Sequence, residues 1–376
     1  MIYHDFHGLK LSALGLGCMR FPTLGSYEQI DTEKVKAMVA FAMEQGINYY
    51  DTAWPYHGGN SETVMGEILK EYPRESFYLA TKFPSFSRET FDKAQEIFEK
   101  QLEKCQVEYF DFYLLHNVTE TNIDWFLELD VVKYLIRQKQ AGRIRYLGFS
   151  THGSLETMVR LLDAYGEHID FCQIQLNWLD WSLQNARVKV DMLNKRNIPV
   201  WVMEPVRGGK LCNLTAEHEA ALKERHPDWT MPQWAFRFLQ GVPGVTVVLS
   251  GMSNMEQLQQ NIDTFSCAMP LEDADREALL AIGKAMTGNG ILHCTGCRYC
   301  TDYCPQGLNI PWLLELYNGY LYSGGENLPS RTINTLDDSK KPSACVGCKS
   351  CEGVCPQGLP ISDTMKVFAQ KLSEAN

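Results

Sequence analysis

From the start of the chain to about residue 265, eight short apolar runs alternate with longer segments of helical periodicity. The runs are SALGLG (12–17), INYYD (47–51), FYLATK (77–82), DFYLLH (111–116), RYLGFS (145–150), FCQIQLN (171–177), PVWVME (199–204) and VTVVLS (245–250). The segments between them, such as DTEKVKAMVAFAMEQG and SLETMVRLLDAYG, repeat apolar residues every three or four positions, begin at Asp or Ser and end at Gly. Strands that are apolar almost throughout are buried on both faces, as in a parallel sheet covered by helices. Eight such units predict an α/β fold, a (β/α)8 TIM barrel. An open doubly wound sheet is the competitor. It fails at Gly15-Leu16-Gly17-Cys18-Met19-Arg20, where the dinucleotide fingerprint lacks its third glycine and no acidic residue closes a βαβ unit.

At 376 residues the chain exceeds one average domain. The rhythm changes near residue 270, where PLEDADREALLAIGKAM reads as a helix and two cysteine-rich stretches follow. The expected division is a barrel over 1–270 and a smaller, mainly α-helical domain over 271–376. A formal net charge of -11 without a long basic run excludes an extended nucleic-acid footprint. No basic-then-apolar leader and no uninterrupted apolar stretch of about 18 residues occurs, so the expected location is cytoplasmic and no membrane partner is expected. Small molecules or proteins remain as partners.

In a barrel of this kind active residues come from the C-terminal ends of several strands. Here the second run ends in Asp51, the third in Lys82 and the fourth in His116, and Tyr56 follows in the loop DTAWPYHGG. A phenol is a poor acid near neutrality, with a reference pKa of about 10, but a nearby ammonium stabilises the phenolate. Lys82 supplies that ammonium, held charged by Asp51, and His116 suits the orientation of a carbonyl and a proton relay. Taken singly these are a buried ion pair, a core histidine and a loop tyrosine. Their joint placement at successive strand ends favours the catalytic reading.

The stretches GLGCMR, DTAWPYHGGNSE, ATK, LLHN and GFSTH resemble the aldo-keto reductase superfamily over nearly all of the first 265 residues. The resemblance implies a catalytic tetrad of Asp51, Tyr56, Lys82 and His116, with Tyr56 as general acid toward an aldehyde or ketone. Hydride would come from NADPH or NADH bound without a Rossmann fold. The cofactor would meet Met19, Arg20 and Asp51 at the first two strand ends. Its carboxamide would meet Ser150, Thr151 and Gln173, and its nicotinamide ring the segment Met203 to Gly209, including Met203, Glu204 and Arg207. The adenosine end would lie along Ser250 to Asn261, at Gly251, Met252, Gln257 and Asn261. Met203 and Glu204 depart from the family's usual aromatic residue and SPL. Gly251 and Gln257 stand where NADPH-preferring members carry basic residues, which leaves the choice of nicotinamide open.

CTGCRYCTDYCPQGLNI, from Cys294, recurs with the same spacing as CVGCKSCEGVCPQGLPI from Cys345. Three thiols stepped by three residues, followed by a Cys-Pro, form the bacterial run for a [4Fe–4S] cluster, and two copies imply two clusters. Zinc is the alternative, though it is usually held by spaced pairs. In two-cluster ferredoxins the fourth cysteine of each run ligates the other cluster. One set is then Cys294, Cys297, Cys300 and Cys355, the other Cys345, Cys348, Cys351 and Cys304. Pro311 followed by WLLELYNGYLY makes the interval helical, so the match is to α-helical ferredoxins. The whole chain is thus similar to bacterial aldo-keto reductases with a C-terminal 4Fe–4S domain.

Of the thirteen cysteines, Cys18, Cys105, Cys172, Cys212 and Cys267 sit singly and read as buried structural thiols. His57, His152 and His293 read as surface loop residues, with His293 shielding the neighbouring cluster. Trp54, Phe86, Trp178, Trp181 and Trp312 suggest an apolar pocket or plain packing. Two functions follow. One is carbonyl reduction, or alcohol oxidation, by hydride transfer. The other is one-electron exchange between the clusters and a redox protein, directly or through a flavin, although no flavin-binding signature is present. Radical SAM chemistry would need CxxxCxxC near the barrel start, where Cys18 stands alone.

Overall fold

A computed structural model describes residues 1–286, 290–322, 333 and 336–374. It divides into two compact units, one of Met1–Val206 with Leu211–Leu280, the other of Arg207–Lys210 with Ala281–Asn376. The first opens with an antiparallel hairpin of β1 (Tyr3–Phe6) and β2 (Leu9–Ser12). Eight strands follow: β3 (Leu14–Gly17), β4 (Tyr49–Asp51), β5 (Tyr78–Phe83), β6 (Phe110–Val118), β7 (Ile144–Thr151), β8 (Phe171–Gln175), β9 (Val200–Met203) and β10 (Val245–Ser250). They close into a parallel barrel in the order β10-β3-β4-β5-β6-β7-β8-β9, the (β/α)8 architecture that the alternating runs predict.

The strands form where they do because an all-apolar run has no solvent face to offer. Every residue of β6 is buried. The helices begin where polar caps satisfy their first amides. The Asp31 side chain accepts from Lys34 N ahead of helix Thr32–Glu44, and Ser154 accepts from Thr157 N ahead of helix Leu155–Tyr165. Helix Ser61–Leu69, which follows the Tyr56 loop, packs tightly on helix Ala94–Cys105. A Cβ on Gly66 would come within 2.7 Å of the Cys105 backbone, so only glycine permits that approach.

The hairpin lies outside the sequence expectation, which begins its first strand at residue 12. Its signal is the alternation in YHDFHGLKLS around a two-residue loop. His7 and Gly8 take φ of 51° and 82°, as in a type I′ turn, whose twist matches paired strands. The hairpin carries Phe6, Leu9 and Leu11 into a cluster with Tyr49, Phe112, Phe171 and Trp201, residues early in their strands. The Phe6 ring lies 5.0 Å from Trp201 and 4.9 Å from Tyr146. The hairpin therefore closes the N-terminal end of the barrel and leaves the C-terminal ends for chemistry.

The second unit is helical among the described residues. It holds the end of helix Asp273–Met286 and the helices Tyr299–Asp302, Ile310–Tyr322, Ser350–Gly353 and Ile361–Glu374. The cysteine repeat is also a backbone repeat. Gly296, Arg298 and Gly307 have φ of 66°, 68° and 57°, and their counterparts Gly347, Lys349 and Gly358 have 70°, 60° and 57°. Leu308, Ile310, Leu313, Leu359, Ile361 and Met365 pack among the thiols. No described helix is long and apolar enough to cross a membrane.

Phe6→Ala tests the plug. Emptying this aromatic site is expected to cost about 3–5 kcal/mol in urea unfolding, as for buried Phe truncations; a loss below about 1 kcal/mol would show that the hairpin is dispensable to the barrel.

Candidate functional site

Asp51, Lys82 and His116 all emerge at strand C-terminal ends, and the structure brings Tyr56 to them. The Lys82 side chain is fully buried, and its Nζ donates to Asp51 Oδ1 at 2.5 Å, to Thr52 O at 2.7 Å and toward Tyr56 Oη at 3.5 Å. The Tyr56 ring stands edge-on to His116 with centroids 6.1 Å apart, and Phe86 meets His116 from another side at 5.2 Å. His116 lies where β6 shifts register between Leu115 and Val118, with the next residue, Asn117, at φ 52°. Such a bulge re-aims a side chain at the end of a strand. Ser85 Oγ donates to the His116 carbonyl, and Asn122 Nδ2 ties Ser85 Oγ (3.1 Å) to Asn117 O (2.9 Å).

Burial sets the charges. It pushes the Asp51 carboxyl up, while the Lys82 ammonium pulls it back. It holds the His116 imidazole well below its ordinary range, and the positive Lys82 adds to this. His116 is therefore a neutral hydrogen-bonding group.

Behind Lys82 lies a second polar layer. Glu62 is fully buried and accepts from Thr81 Oγ1, Gln101 Nε2 and Lys104 Nζ, each at 2.7 Å. Gln101 Nε2 also lies 3.0 Å from the Lys82 carbonyl. Glu62 stands in the NSE stretch that carries part of the family resemblance, but its role as the anchor of β5 is not visible in sequence. Asn177 and Asp180 likewise join unannounced. Asn177 Nδ2 bonds Asp180 Oδ2 at 2.7 Å and the Glu204 carbonyl at 2.9 Å, and thereby supports the left-handed backbone of Glu204 at φ 56°.

The expectation that His57 lies on the surface does not hold. It is 1% exposed, its Nδ1–H donates to Tyr27 O at 2.6 Å, and its ring stacks on Tyr27 at 4.5 Å. His57, Gly58 and Gly59 take φ of 54°, 63° and 91°, a left-handed run that folds the loop back under Tyr56. His152 and His293 are half-buried. Trp178 is buried, whereas Trp54, Phe86, Trp181 and Trp312 are half-buried. Of the isolated cysteines, Cys18, Cys105 and Cys172 are buried and Cys212 is half-buried; Cys267 is exposed, contrary to expectation.

The residues expected around a nicotinamide cofactor fall into three groups. Ser150 Oγ accepts from Asn117 N at 2.9 Å, Thr151 Oγ1 donates to Val118 O at 2.6 Å, and Gln173 Nε2 faces Met203 Sδ at 3.7 Å. Gln173 Oε1 is buried with no hydrogen-bond partner, an acceptor suited to an amide donor such as a carboxamide. In the second group, Arg20, in the short turn with Met19, pairs with Glu204 at 3.3 Å and lies against Gly251. Asn261 Nδ2 bonds Ser250 Oγ at 3.1 Å, Met252 is buried, and Gln257 Oε1 accepts from Ser253 N at 2.8 Å. Arg207 stands apart: it belongs to the second compact unit, where its guanidinium bonds His293 O and Gln357 Oε1.

Two hollows lie among the described residues of that unit. One is lined by Cys294, Cys297, Cys300 and Cys355. The other is lined by Cys304, Cys345, Cys348 and Cys351. Gly296 N points at Cys294 Sγ at 3.4 Å and Leu308 N at Cys304 Sγ at 3.5 Å. Amides aimed at sulfur suit thiolates that carry cluster charge. No group of three described His, Cys, Asp or Glu side chains converges to hold a single ion. In a cubane each thiolate binds a different corner iron, so four sulfurs spaced around a hollow match its donor set.

A closed parallel barrel with its titratable groups at the strand C-terminal ends defines a barrel enzyme. Comparison with known proteins gives the family. Residues 13–282 match the Aldo/keto reductase family and residues 293–360 the 4Fe-4S dicluster domain. The chain belongs to the aldo-keto reductase family, carries a 4Fe–4S domain, and is an oxidoreductase. L-galactose dehydrogenase of Arabidopsis thaliana is 32% identical to it over 317 residues, 76% of this chain and 96% of that protein. An uncharacterized oxidoreductase of Bacillus subtilis, YqkF, is 29% identical over 289 residues, 68% of this chain and 87% of its own length. The holo form of aldo-keto reductase AKR11C1 from Bacillus halodurans superposes with a TM-score of 0.62 at 25% identity, covering 73% of this chain and 93% of that one. An aldo/keto reductase from Klebsiella pneumoniae, solved with NADP and acetate, shares the fold with a TM-score of 0.60 at 20% identity, covering 73% and 93% of the two chains.

Because burial and Lys82 both disfavour its charged form, His116 should stay neutral as pH falls from about 8 to 6. NMR titration of the ring is expected to show no protonation step near the ordinary value of about 6.5; a midpoint there would contradict this geometry.

Proposed function

We propose that the barrel reduces an aldehyde or ketone to an alcohol, or runs the reverse, with NADPH or NADH as partner. The observation that carries this reading is the placement of Lys82 Nζ between Asp51 at 2.5 Å and Tyr56 Oη at 3.5 Å, beside a neutral His116. The nicotinamide, when bound, supplies or accepts the hydride at the carbonyl carbon. Tyr56 gives its proton to the carbonyl oxygen as that oxygen gains negative charge. The Lys82 ammonium, paired with Asp51 and buried away from bulk solvent, stabilises the phenolate left behind. His116 donates a hydrogen bond that orients the carbonyl, and Phe86 walls the site beside it. In the alcohol-oxidising direction the phenolate takes the proton back.

Gln173, with its buried free amide oxygen, and Ser150 would hold the carboxamide. Met203 would lie against the ring in place of the family's aromatic residue. The Klebsiella enzyme of the same fold was solved with NADP, in keeping with a nicotinamide partner. Tyr56→Phe is expected to lower kcat for carbonyl reduction by about 10²–10⁴-fold, the span of general acid catalysis, while nicotinamide affinity is kept. Unchanged kcat would remove Tyr56 from the acid role.

A second reading concerns the thiol hollows, which simple hydride transfer does not need. We propose that they hold two [4Fe–4S] clusters, the first on Cys294, Cys297, Cys300 and Cys355 and the second on Cys304, Cys345, Cys348 and Cys351. Such clusters pass single electrons, so they would serve a redox protein. Cys348 is exposed, which favours the second cluster as the point of exchange. Anaerobically reconstituted protein is expected to hold about eight irons per chain, and Cys297→Ser to lose the first cluster alone. One zinc per hollow, or no metal at all, would contradict it.

A further inference from the structure

Arg207 is 1% exposed and belongs to the second unit, although sequence places it in the segment after β9. Nη1 donates to His293 O at 2.6 Å and Nη2 to Gln357 Oε1 at 2.9 Å. His293 precedes Cys294, and Gln357 follows Cys355 by two positions. One guanidinium thus ties together the two chain segments, remote in sequence, that bring the first and last thiols of the first hollow. The backbone is bent to allow it. Arg207, Gly208 and Gly209 run at φ 51°, 66° and 90°, and only the first of these lacks the freedom of glycine. A non-glycine residue at a left-handed position is strained and is held there by its surroundings.

The second hollow has a counterpart. Lys340 Nζ donates to Gln306 O at 3.3 Å and Gly307 O at 3.1 Å, in the equivalent Cys-Pro-Gln-Gly turn. Each such turn is thus held by a basic residue, but Lys340 is exposed and Arg207 is buried. Water screens the first charge and not the second.

We propose that Arg207 is a positioning residue of the first cluster, clamping the Cys294 and Cys355 segments and holding beside them a fixed positive charge that favours the reduced cluster. This rests on the reading that those four thiols bind one [4Fe–4S] cluster. Reduction adds one electron to an already anionic centre, and a buried guanidinium held beside it lowers its cost, since net charge and hydrogen bonding set the potentials of such clusters. Two unequal midpoints are expected, with the first cluster the easier to reduce.

The test is an EPR-monitored redox titration of the full, cluster-loaded protein, with the first cluster's signal assigned by its loss in Cys297→Ser. Arg207→Gln keeps a hydrogen-bonding head and removes the charge. It is expected to disfavour reduction of the first cluster about tenfold, a fall of about 59 mV for one electron, and to leave the second unmoved. Arg207→Lys keeps the charge and should hold the first midpoint near that of the parent. Unchanged midpoints in a loaded Arg207→Gln protein overturn the proposal, as does an equal fall in both variants. Should Arg207→Gln fail to load, Arg207→Lys decides: a loaded first cluster at the parent midpoint supports the proposal, and an empty or shifted one overturns it. A parent protein that binds no iron removes the underlying reading as well, which separates the two failures.

Discussion

A lysine ammonium sealed inside a barrel must be paired, and Lys82 with Asp51 is the constraint around which the first unit is arranged. The two side chains meet at 2.5 Å with almost no exposure. Removing one partner of such a pair strands the other charge and costs about 3–5 kcal/mol. The surroundings are built to keep the pair intact. Thr52 O takes a second ammonium proton, and the Glu62–Gln101–Thr81 network steadies β5 from behind. The barrel puts the pair at the open ends of its strands, and the hairpin plugs the opposite end with Phe6.

Much of the architecture was legible because it follows from burial. A nine-residue strand with no solvent face can only be an apolar run, and Asp31 and Ser154 mark helix starts because a side-chain oxygen there satisfies an amide. Asp51, Lys82 and His116 could be named together because barrel topology places strand ends side by side. What stayed hidden depends on turns and on partners far away in sequence. The hairpin turns on two left-handed residues, His7 and Gly8. His57 looked like a loop residue because its burial depends on the backbone run through Gly58 and Gly59. The family resemblance puts Arg207 in the segment against the nicotinamide; two of its hydrogen-bond partners lie 86 and 150 residues further on, a pairing that no local pattern records.

With both proposed sites filled, two kinds of electron traffic meet in this chain. Hydride transfer moves two electrons and needs only the barrel residues. The thiol sites suit one-electron steps, and their two copies are alike in backbone yet unlike in surroundings: one carries a buried guanidinium, the other an exposed ammonium and an exposed cysteine. On the proposed reading, that asymmetry would set the two clusters at different potentials.

Anaerobic mixing of the cluster-loaded protein with NADPH or NADH, with and without a panel of aldehydes and ketones, tests the central claim most directly when nicotinamide and cluster absorbance are followed together. Nicotinamide is expected to be consumed only when a carbonyl is present, with the clusters staying oxidised meanwhile. Clusters that bleach on adding nicotinamide alone would contradict a barrel confined to hydride transfer, because electrons would then leave the nicotinamide one at a time by a route that Asp51, Tyr56, Lys82 and His116 do not provide.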